Sequence, residues 1–451
     1  MSLTQLASSS TPDQEPYVPA RPRRVQRVAA SAVDVGLPVV VALVVIMLVR
    51  SMPAERGPWQ TDRLVVGALG IGLVVALIGV SRSRRRRGQS LGMAAVGLVD
   101  APGHGVRSVT ELHQAHIDVT ALLARPRHPW TTVTVLAVAA ITVGLIAVAV
   151  GVRDVTLPEV ARAILSSSDS YNSIVIRQRL PRAVMALAAG MALGIAGAII
   201  QGQTRNPLAD PDVMGITRGA TFAAVLAIWI GGLTSPTAYT WYAMGGGLVV
   251  AVLVVVLSEL AGSTLVSLPL IGVAIASVLG SATGIALLLD EAVLRSFRQW
   301  MIGGITDRPF DTYYVPLAAI AVGLVIAMAC ASSLNALSLG DDVARSLGSD
   351  VRRARVLGLL AVGILVGAAT AACGPLAFVG LLAPHTARLL VGHDHLVLLP
   401  ASALIGAVSL MCADLIGRVL ISGTEIQAGI VFSVIGAPLF IALARLKSGQ
   451  R

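Results

Sequence analysis

The chain has 451 residues, of which 55% are hydrophobic and only 13% are charged, and its mean hydropathy is +0.81. A soluble domain carries about a quarter charged residues, so this composition excludes an ordinary soluble protein. Repeated apolar runs of about 20 residues indicate a polytopic membrane protein. The formal net charge is +10. We assign the basic residues to membrane orientation and predict no nucleic-acid binding.

The N-terminal region predicts a disordered basic tail followed by a membrane hairpin. Residues 1–28 are polar and include RPRRVQR at 21–27, and this pattern does not predict a cleavable signal peptide. Apolar runs cover residues 29–49 and 64–80, and the second stops at SRSRRRRGQ. Because basic clusters favour the cytoplasm, both flanks of this hairpin are predicted to lie inside. The polar residues 106–130 then predict a cytoplasmic linker.

Ten further apolar runs predict ten more membrane spans, and together with the hairpin they give an all-α fold of about 12 transmembrane helices. The ten runs cover residues 131–150, 183–200, 213–233, 241–261, 265–289, 313–333, 356–372, 376–391, 397–416 and 426–444. Some are short and are expected to tilt or to stop partway. With both termini in the cytoplasm, residues 151–182 lie outside and residues 334–355 lie inside.

Three arginines contradict the usual orientation bias. Arg177, Arg179 and Arg182 fall on the predicted outer side, where positive charge is depleted. Two interpretations are open for them: long side chains that reach the membrane interface, and an acidic partner that docks from outside.

The longest polar segment between two later spans contains LGDDVARSLG. It predicts a short cytoplasmic helix between glycines, with Asp341 and Asp342 near its start, where negative charge favours the helix dipole. Arg345 follows a turn later. The segment is either a solvated loop helix or a helix that docks onto a partner and transmits movement.

Proline and glycine indicate where other helices break. They occur in RNPLADP (205–211), CGPLAFVG (373–380) and GAPLF (436–440). Interrupted helices line the pathways of many transporters. The candidate pathway and helix-break residues are Gln201, Asn206, Pro207, Pro211, Gly374, Pro375, Pro384 and His385.

Several motifs of enzymes are absent from the sequence. It contains no G-x-x-x-x-G-K-[ST] and no H-E-x-x-H, and its histidines and cysteines lack metal-type spacing. We predict no catalytic residue and no metal site. Energy for transport then comes from an ion gradient or from a separate ATPase. The few ionisable candidates in spans, Asp34, Glu259, Asp414 and His385, argue against ion coupling.

A series of motifs resembles the FecCD-type permeases, the membrane subunits of ABC importers for ferric siderophores, haem and cobalamin. The first runs from RLPR, which begins at 179, to GITRGA, which ends at 220. The others, in the expected order, are RQWMIGGI (298–305), LNALSLGDDVARSLG (334–348), GPLAFVGLLAPHTARLLVGHDHLVLLPASALIGA (374–407), ADLIGR (413–418) and EIQAGIVFSVIGAPLFIALA (425–444). We assign residues 131–451 to this permease domain.

The resemblance implies an assembly in the bacterial plasma membrane. Ten helices per subunit pair with a second permease subunit, identical or different. Two cytoplasmic ATPases hold ATP and Mg²⁺, so this chain binds no cofactor. A substrate-binding protein delivers the ligand from outside. The implied function is import of a metal chelate by alternating access, with a ferric siderophore as the expected cargo. The alternatives are an ion-coupled secondary transporter or channel, and a membrane scaffold or sensor.

The resemblance also implies roles for individual residues. Arg179, Arg182 and Arg418 match positions that pair with acidic residues of the binding protein. The segment that sits on the ATPase matches Leu339, Gly340, Asp341, Asp342, Ala344, Arg345, Leu347 and Gly348.

Residues 29–105 and their basic flank resemble a different module, the RDD domain. The matching positions are Arg27, Asp34 and Asp100, with GQSLG at the usual place of that motif. The resemblance implies an accessory membrane hairpin.

Overall fold

The structure is a computed structural model that describes residues 98–101, 105–108, 129–150, 171–233, 236–261, 267–301, 305, 310–420, 425–436 and 438. The predicted basic tail, both spans of the hairpin, Arg27 and Asp34 lie outside the described residues. The chain divides into two compact units. The described part of the first is a short β ribbon, and that of the second is a set of helices.

The β ribbon was not predicted from the sequence. Strand β1 (Leu98–Ala101) pairs with strand β2 (Gly105–Ser108) in antiparallel register, with Leu98 opposite Ser108. Asp100, one of the residues of the RDD resemblance, lies in β1. Within the described residues, this ribbon is the departure from an all-α fold.

The second unit is helical wherever the structure describes regular elements in it. Its helices are α1 (Pro129–Ala149), α2 (Tyr171–Thr204), α3 (Ile216–Trp229), α4 (Pro236–Leu260), α5 (Ser267–Leu289), α6 (Glu291–Met301), α7 (Phe310–Ala329), α8 (Ala331–Ser338), α9 (Asp341–Ser346), α10 (Val351–Cys373), α11 (Val379–Val391) and α12 (His395–Val419). Residues 428–436 are helical as well.

Seven of these helices are long and apolar enough to cross a membrane, namely α1, α2, α4, α5, α7, α10 and α12. This confirms the prediction of a multi-pass membrane protein. Each of the ten predicted spans after residue 131 overlaps a described helix. However, α3 has only 14 residues and α11 only 13. At 1.5 Å per residue each is about 20 Å long, which is too short to cross a core of about 30 Å.

Helix α2 starts much earlier than predicted. It begins at Tyr171 instead of at 183, and it continues through Pro181. A proline removes one helical hydrogen bond, but a helix can persist where the flanking turns have tertiary partners. The predicted start of this span at 183 is therefore wrong, because Arg177, Arg179 and Arg182 already lie on α2. Their placement on the outer side stays a prediction.

Helices α2, α10 and α12 form the buried centre of the unit. In the most apolar stretch of 18 residues, 83% of residues are buried in α2, 78% in α10 and 67% in α12, against 17% in α5. Glycines allow α2 to touch α12, because a Cβ on Gly194 would lie 2.3 Å from the carbonyl oxygen of Ser402. A Cβ on Gly190 would lie 2.5 Å from the carbonyl oxygen of Gly406. The two helices therefore pack closely through small residues at these two positions.

The course of α2 defines two ends of this unit. At the first, which we call the Arg182 end, the first half of α2 meets the C-terminal residues of α1 and α12. At the second, which we call the Asp341 end, the C-terminus of α2 meets α9 and the N-terminal turn of α10.

Candidate functional site

A buried ion cluster lies at the Arg182 end. Arg182 donates from Nε and Nη2 to Oδ1 of Asp414, at 3.2 and 2.9 Å, and from Nη1 to Oε2 of Glu425 at 2.8 Å. Arg418 donates from Nη2 to Oδ2 of the same Asp414 at 2.5 Å. The side chains of Arg182, Asp414 and Arg418 are 2–5% exposed, whereas that of Glu425 is 42% exposed. One buried carboxylate therefore joins two arginines.

The end of α1 is capped by arginine side chains. Arg179 donates from Nη1 to the carbonyl oxygens of Val148 and Ala149, at 3.3 and 3.2 Å. Arg418 donates from Nη1 to those of Ala147 and Val150, at 2.9 and 3.4 Å. The last carbonyls of a helix lack intrahelical donors and carry partial negative charge, so guanidinium groups stabilise them. The arginines thereby tie α1, α2 and α12 together.

The three arginines of the predicted docking set are close together in the structure, but they face their own chain. Arg179, Arg182 and Arg418 are 9%, 4% and 6% exposed. Arg177 is exposed. Sequence reasoning did not predict the acidic partners. The spacing of four residues between Asp414 and Arg418 within a helix was the available signal. The docking role itself stays a prediction.

At the Asp341 end, one carboxylate fastens α9 to two other helices. Asp341 accepts from Nη2 of Arg205, which follows α2, and from Nη2 of Arg355 in α10 at 2.7 Å. Arg205 also donates from Nε to the carbonyl oxygen of Leu337 in α8, at 2.9 Å. The position of α9 is therefore set by the end of α2 and the start of α10.

The side of α9 opposite to Asp341 is turned away from the unit. The side chain of Asp342 is 99% exposed and pairs with Arg345, itself 63% exposed, at 3.1 Å. Leu339, Val343 and Leu347 are 63%, 45% and 63% exposed. Val343 and the C-cap residue Leu347 lie one helical turn apart on α9, whereas Leu339 precedes Gly340 and lies outside the helix. The structure thus presents an apolar face beside a charged pair.

The glycines of this segment limit α9, as predicted. Gly340 precedes the helix with φ of 116°, and Gly348 follows it with φ of 78°. Residues with a Cβ avoid both values, so these positions favour glycine. Ala344 is fully buried and faces inward. The predicted helix between glycines is confirmed, although α8 was not predicted.

A second polar contact holds α8 against the start of α12. Asn335 donates from Nδ2 to Oδ1 of Asp394 at 2.8 Å, and its Oδ1 accepts from the backbone N–H of His395 at 2.8 Å. Asp394 caps α12 by accepting from the N–H of Leu396. The Asp341 end is consequently fixed by polar contacts on both α10 and α12.

The helix break after α2 is a structured turn. Asn206 accepts from the N–H of Leu208 at 2.9 Å, and Asp210 accepts through Oδ1 from the N–H of Asp212 at 2.8 Å. Oδ2 of Asp210 is buried and has no hydrogen-bond partner among the described residues. Burial raises the pKa of Asp210 to about 7. Pro207 and Pro211 belong to this turn, as predicted.

The second break separates α10 from α11. Residues 374–378 are non-helical, and Gly374 and Pro375 lie in this interval as predicted. Gln201, Pro384 and His385 lie inside α2 and α11, so the prediction of a helix break at these three residues is wrong. Their role in a pathway stays a prediction.

Gln201 joins α2 to α11 near the second break. Its Nε2 donates to the carbonyl oxygen of Gly380 at 3.1 Å, and its Oε1 accepts from Nη1 of Arg388 at 2.5 Å. These contacts connect the end of α2 to both ends of α11, so the short helix is held across its length.

An apolar groove runs between α3, α4 and α5. Its volume is about 770 Å³, and its lining includes Phe222, Trp241, Gly246, Leu253 and Val278. Within the described residues, no group of three or more His, Cys, Asp or Glu could hold a metal ion. The polar chemistry described above is therefore concentrated at the two ends of the unit.

Comparison with protein families gives a match to the FecCD transport family over residues 137–446. The chain is 44% identical to the ferric enterobactin transport system permease protein FepD of Escherichia coli (strain K12) over 279 residues, 61% of this chain and 83% of that protein. It is 38% identical to the iron(3+)-hydroxamate import system permease protein FhuB of Bacillus subtilis (strain 168) over 329 residues, 70% of this chain and 85% of that protein.

A further relative and a solved structure extend the comparison. The hemin transport system permease protein HmuU of Yersinia pestis is 36% identical over 292 residues, 63% of this chain and 87% of that protein. A solved structure described as a putative metal-chelate type ABC transporter, in an inward-facing conformation, superposes with a TM-score of 0.62 at 27% identity. The match covers 70% of this chain and 99% of the solved one.

Proposed function

Since the chain belongs to the FecCD transport family, we propose that it is the membrane permease of an ATP-driven importer that carries ferric siderophores into the cell. The observation that carries this proposal is the 44% identity to a ferric enterobactin permease, sustained over 83% of that protein. Relatives named for iron hydroxamate and hemin support metal chelates as the wider substrate class.

The family defines the type of protein more broadly than its cargo. Its members are permeases of ABC importers and not enzymes, and partner ATPases hydrolyse the ATP. The seven long apolar helices agree with a multi-pass protein of the inner membrane. In our proposal ATP and Mg²⁺ bind to the ATPases, and both termini of this chain lie in the cytoplasm.

We assign the ATPase contact to the outward side of α9. Leu339, Val343 and Leu347 supply an apolar face, and the Asp342–Arg345 pair supplies charge beside it. Three large apolar side chains exposed together in a polar segment are costly unless a partner covers them. Asp341 then connects this contact to α2 and α10.

We assign docking of a substrate-binding protein to the Arg182 end. Arg177 is accessible, whereas Arg179, Arg182 and Arg418 are buried. In this proposal the buried arginines contribute to docking in two ways. They hold the surrounding backbone in position, and they can bind an acidic group of the partner when a carboxylate of this chain moves away from them. The cluster has such a carboxylate in Glu425, which is half-exposed.

The transport pathway in our proposal forms between two permease subunits that alternate between outward and inward access. Helix α5 is the most exposed of the candidate spans in the described part of the chain, with Leu270, Val278 and Leu288 at 68%, 68% and 88% exposure. This face suits contact with a second subunit, a copy of this chain or a related permease. The RDD-like residues 29–105 are proposed as an accessory module.

Reconstitution tests the proposal directly. The full chain is placed in liposomes with its ATPase and substrate-binding protein, and ferric siderophore uptake and ATP hydrolysis are measured. We expect siderophore-stimulated hydrolysis and uptake that stops when the ATPase is inactivated by mutation. Uptake that proceeds without any ATPase and collapses with the proton gradient would instead identify an ion-coupled carrier. Removal of residues 1–105 is expected to leave most uptake intact.

A further inference from the structure

Arg218 is an exposed residue of the short helix α3, and it is the one charged residue in the sequence of that helix. Within the described part of the chain, it makes no hydrogen bond and no ion pair. Phe222 follows it one turn later and Trp229 ends the helix, both on the same face. The outward face of α3 is therefore apolar except for one positive charge.

The contact between α3 and α4 gives the depth of Arg218 along the longer helix. A Cβ on the next residue, Gly219, would lie 2.7 Å from the carbonyl oxygen of Gly246, so the two backbones touch there. Gly246 lies near the middle of α4 (Pro236–Leu260), at least about 15 Å from either end at 1.5 Å per residue. Helix α4 is one of the seven that are long and apolar enough to cross a membrane. Arg218 therefore lies level with the middle of a candidate span.

An arginine at this depth is unfavourable against lipid. Charged side chains in the middle of a membrane are costly, and they face a water-filled cavity or an opposite charge. Arginines near the end of a span extend to the interface instead, but Arg218 is level with the middle of α4. We therefore expect the outward face of α3 to border an aqueous pathway. The proposed function provides one, the space between two permease subunits.

The apolar groove between α3, α4 and α5 adjoins Arg218. Gly219 and Phe222 line it from α3, and Trp241 and Tyr242 line it from α4, around a volume of about 770 Å³. Aromatic side chains pack well against flat rings, and a guanidinium binds anionic oxygens and also stacks on aromatic faces. A ligand that carries both negative charge and aromatic rings therefore fits this place best.

We propose that Arg218 determines specificity within the pathway, by binding negatively charged ferric chelates of the catecholate type as they pass the groove. The proposal rests on the proposed function, which makes the chain a permease for ferric siderophores. Catecholate donors are aromatic, and they leave a fully coordinated Fe³⁺ complex with net negative charge. Hydroxamate donors leave the corresponding complex neutral. Arg218 therefore favours the first class over the second.

The experiment measures binding of two matched iron complexes to the full chain with its ATPase in lipid nanodiscs, without ATP. One probe is Fe³⁺ held by a synthetic tripodal tris-catecholate, and the other is Fe³⁺ held by the corresponding tris-hydroxamate. Equilibrium dialysis with radioactive iron gives both affinities. We expect the unmodified chain to prefer the tris-catecholate complex. Arg218→Gln should weaken binding of that complex about tenfold and change binding of the other less than about twofold. The loss should shrink as salt is raised.

Two further variants control for charge and position. Arg218→Lys keeps the charge and should retain most of the preference for the tris-catecholate complex. Arg295→Gln removes an exposed arginine from α6, where it pairs with Glu291, and should leave both affinities unchanged. Thermal unfolding of each variant shows whether the fold is retained, and light scattering shows whether the permease subunits stay associated.

The proposal is overturned if the unmodified chain shows no preference for the tris-catecholate complex, or if Arg218→Gln keeps that preference with its fold intact. An equal loss for both complexes overturns it as well, because Arg218 would then affect only the shape of the groove. The same loss in Arg295→Gln would show an effect of general charge, and separation of the subunits in Arg218→Gln would assign the residue to their contact. Uptake in liposomes separates these results from the proposed function. ATP-driven siderophore uptake by the unmodified chain, found together with any of them, contradicts only the role of Arg218.

Discussion

Asp210 shows how much a single buried side chain can influence the stability of this unit. One of its carboxylate oxygens accepts from the N–H of Asp212, and the other is buried without a partner among the described residues. Burial disfavours the charged form, which raises the pKa of Asp210 from 3.8 to about 7. The turn between α2 and α3 therefore carries a carboxyl group that titrates near neutral pH.

The sign of the resulting pH dependence follows from proton uptake. Between about pH 4 and pH 7 the folded state holds more protons at Asp210 than the unfolded state, so stability falls as pH rises through this window. Above about pH 7 this contribution is constant. A pKa that is higher by one in the folded state than in the unfolded state corresponds to about 1.4 kcal/mol, so the whole effect has an upper limit of roughly 4 kcal/mol.

We predict that Asp210→Asn removes most of this slope. The variant should be more stable than the unmodified chain at pH 8, by about 2 kcal/mol after the cost of an unpaired amide. Thermal unfolding between pH 5 and pH 8, followed by tryptophan fluorescence in micelles, measures it. Asp212→Asn removes a neighbouring charge that also raises the pKa of Asp210, but it should keep most of the slope, because burial is the largest cause. A slope that survives in Asp210→Asn contradicts the prediction.

At the scale of elements, the contact between α2 and α12 depends on the absence of side chains. Gly190 and Gly194 bring the two backbones together, with Gly406 and Ser402 on the other side. Gly280 of α5 is also helical, but a Cβ there would meet nothing within 4 Å. The two situations allow a matched comparison of glycine substitutions.

We predict opposite results for these two substitutions. Gly194→Ala forces α2 and α12 apart and should cost about 3 kcal/mol or more, because backbone atoms cannot move aside as side chains do. Gly280→Ala should be neutral or stabilise by up to about 1 kcal/mol, since alanine is the better helix former. Thermal unfolding of both variants gives the comparison. Equal effects would show that α2 and α12 can separate without loss.

Sequence reasoning located the helices better than it located their ends. Apolar runs predicted the spans because burial in a membrane requires them. The start of α2 was missed because the arginines around Pro181 resemble a polar loop, and they are buried only through partners 30 or more residues away. Helix α6 was missed because its sequence, EAVLRSFRQWM, is too polar for a span.

In the candidate sites too, local features were predicted from the sequence and contacts between distant residues were missed. The segment around α9 and the helix breaks were predicted because glycine, proline and helix-capping residues act locally. The contacts of Asp414 and Glu425 with Arg182 cross more than 230 positions of the chain, and no local pattern encodes them. Sequence similarity identified the family, whereas only the fold showed that Asp341 faces inward and Asp342 outward.

At the scale of the whole molecule, these two neighbouring aspartates should have separable functions. Asp341 binds Arg205 and Arg355, so Asp341→Asn loosens α9 from α2 and α10. We predict that the ATPase still attaches, since the outward face is unchanged. Siderophore uptake per ATP hydrolysed should fall about tenfold or more, because movement of α9 no longer reaches the core.

Asp342→Asn provides the matched control for that prediction. It removes the same charge from the exposed pair with Arg345, an interaction worth less than about 1 kcal/mol. We expect a weaker ATPase interaction at high salt and an unchanged ratio of uptake to hydrolysis. Co-purification of the ATPase and uptake in liposomes measure the two properties separately. If both variants change the same property, the division of roles is wrong.

Helix α2 is about 51 Å long, from its 34 residues at 1.5 Å each. It carries Arg182 near one end, and Arg205 follows directly at the other. In our proposal an outer partner binds at the Arg182 end and the ATPase at the Asp341 end, and thermodynamic linkage then makes their effects on each other reciprocal. Whatever factor an outer partner imposes on the affinity for the ATPase, the ATPase must impose on the affinity for the outer partner. Measuring one of these affinities with and without the second protein therefore gives the effect of each protein on the binding of the other.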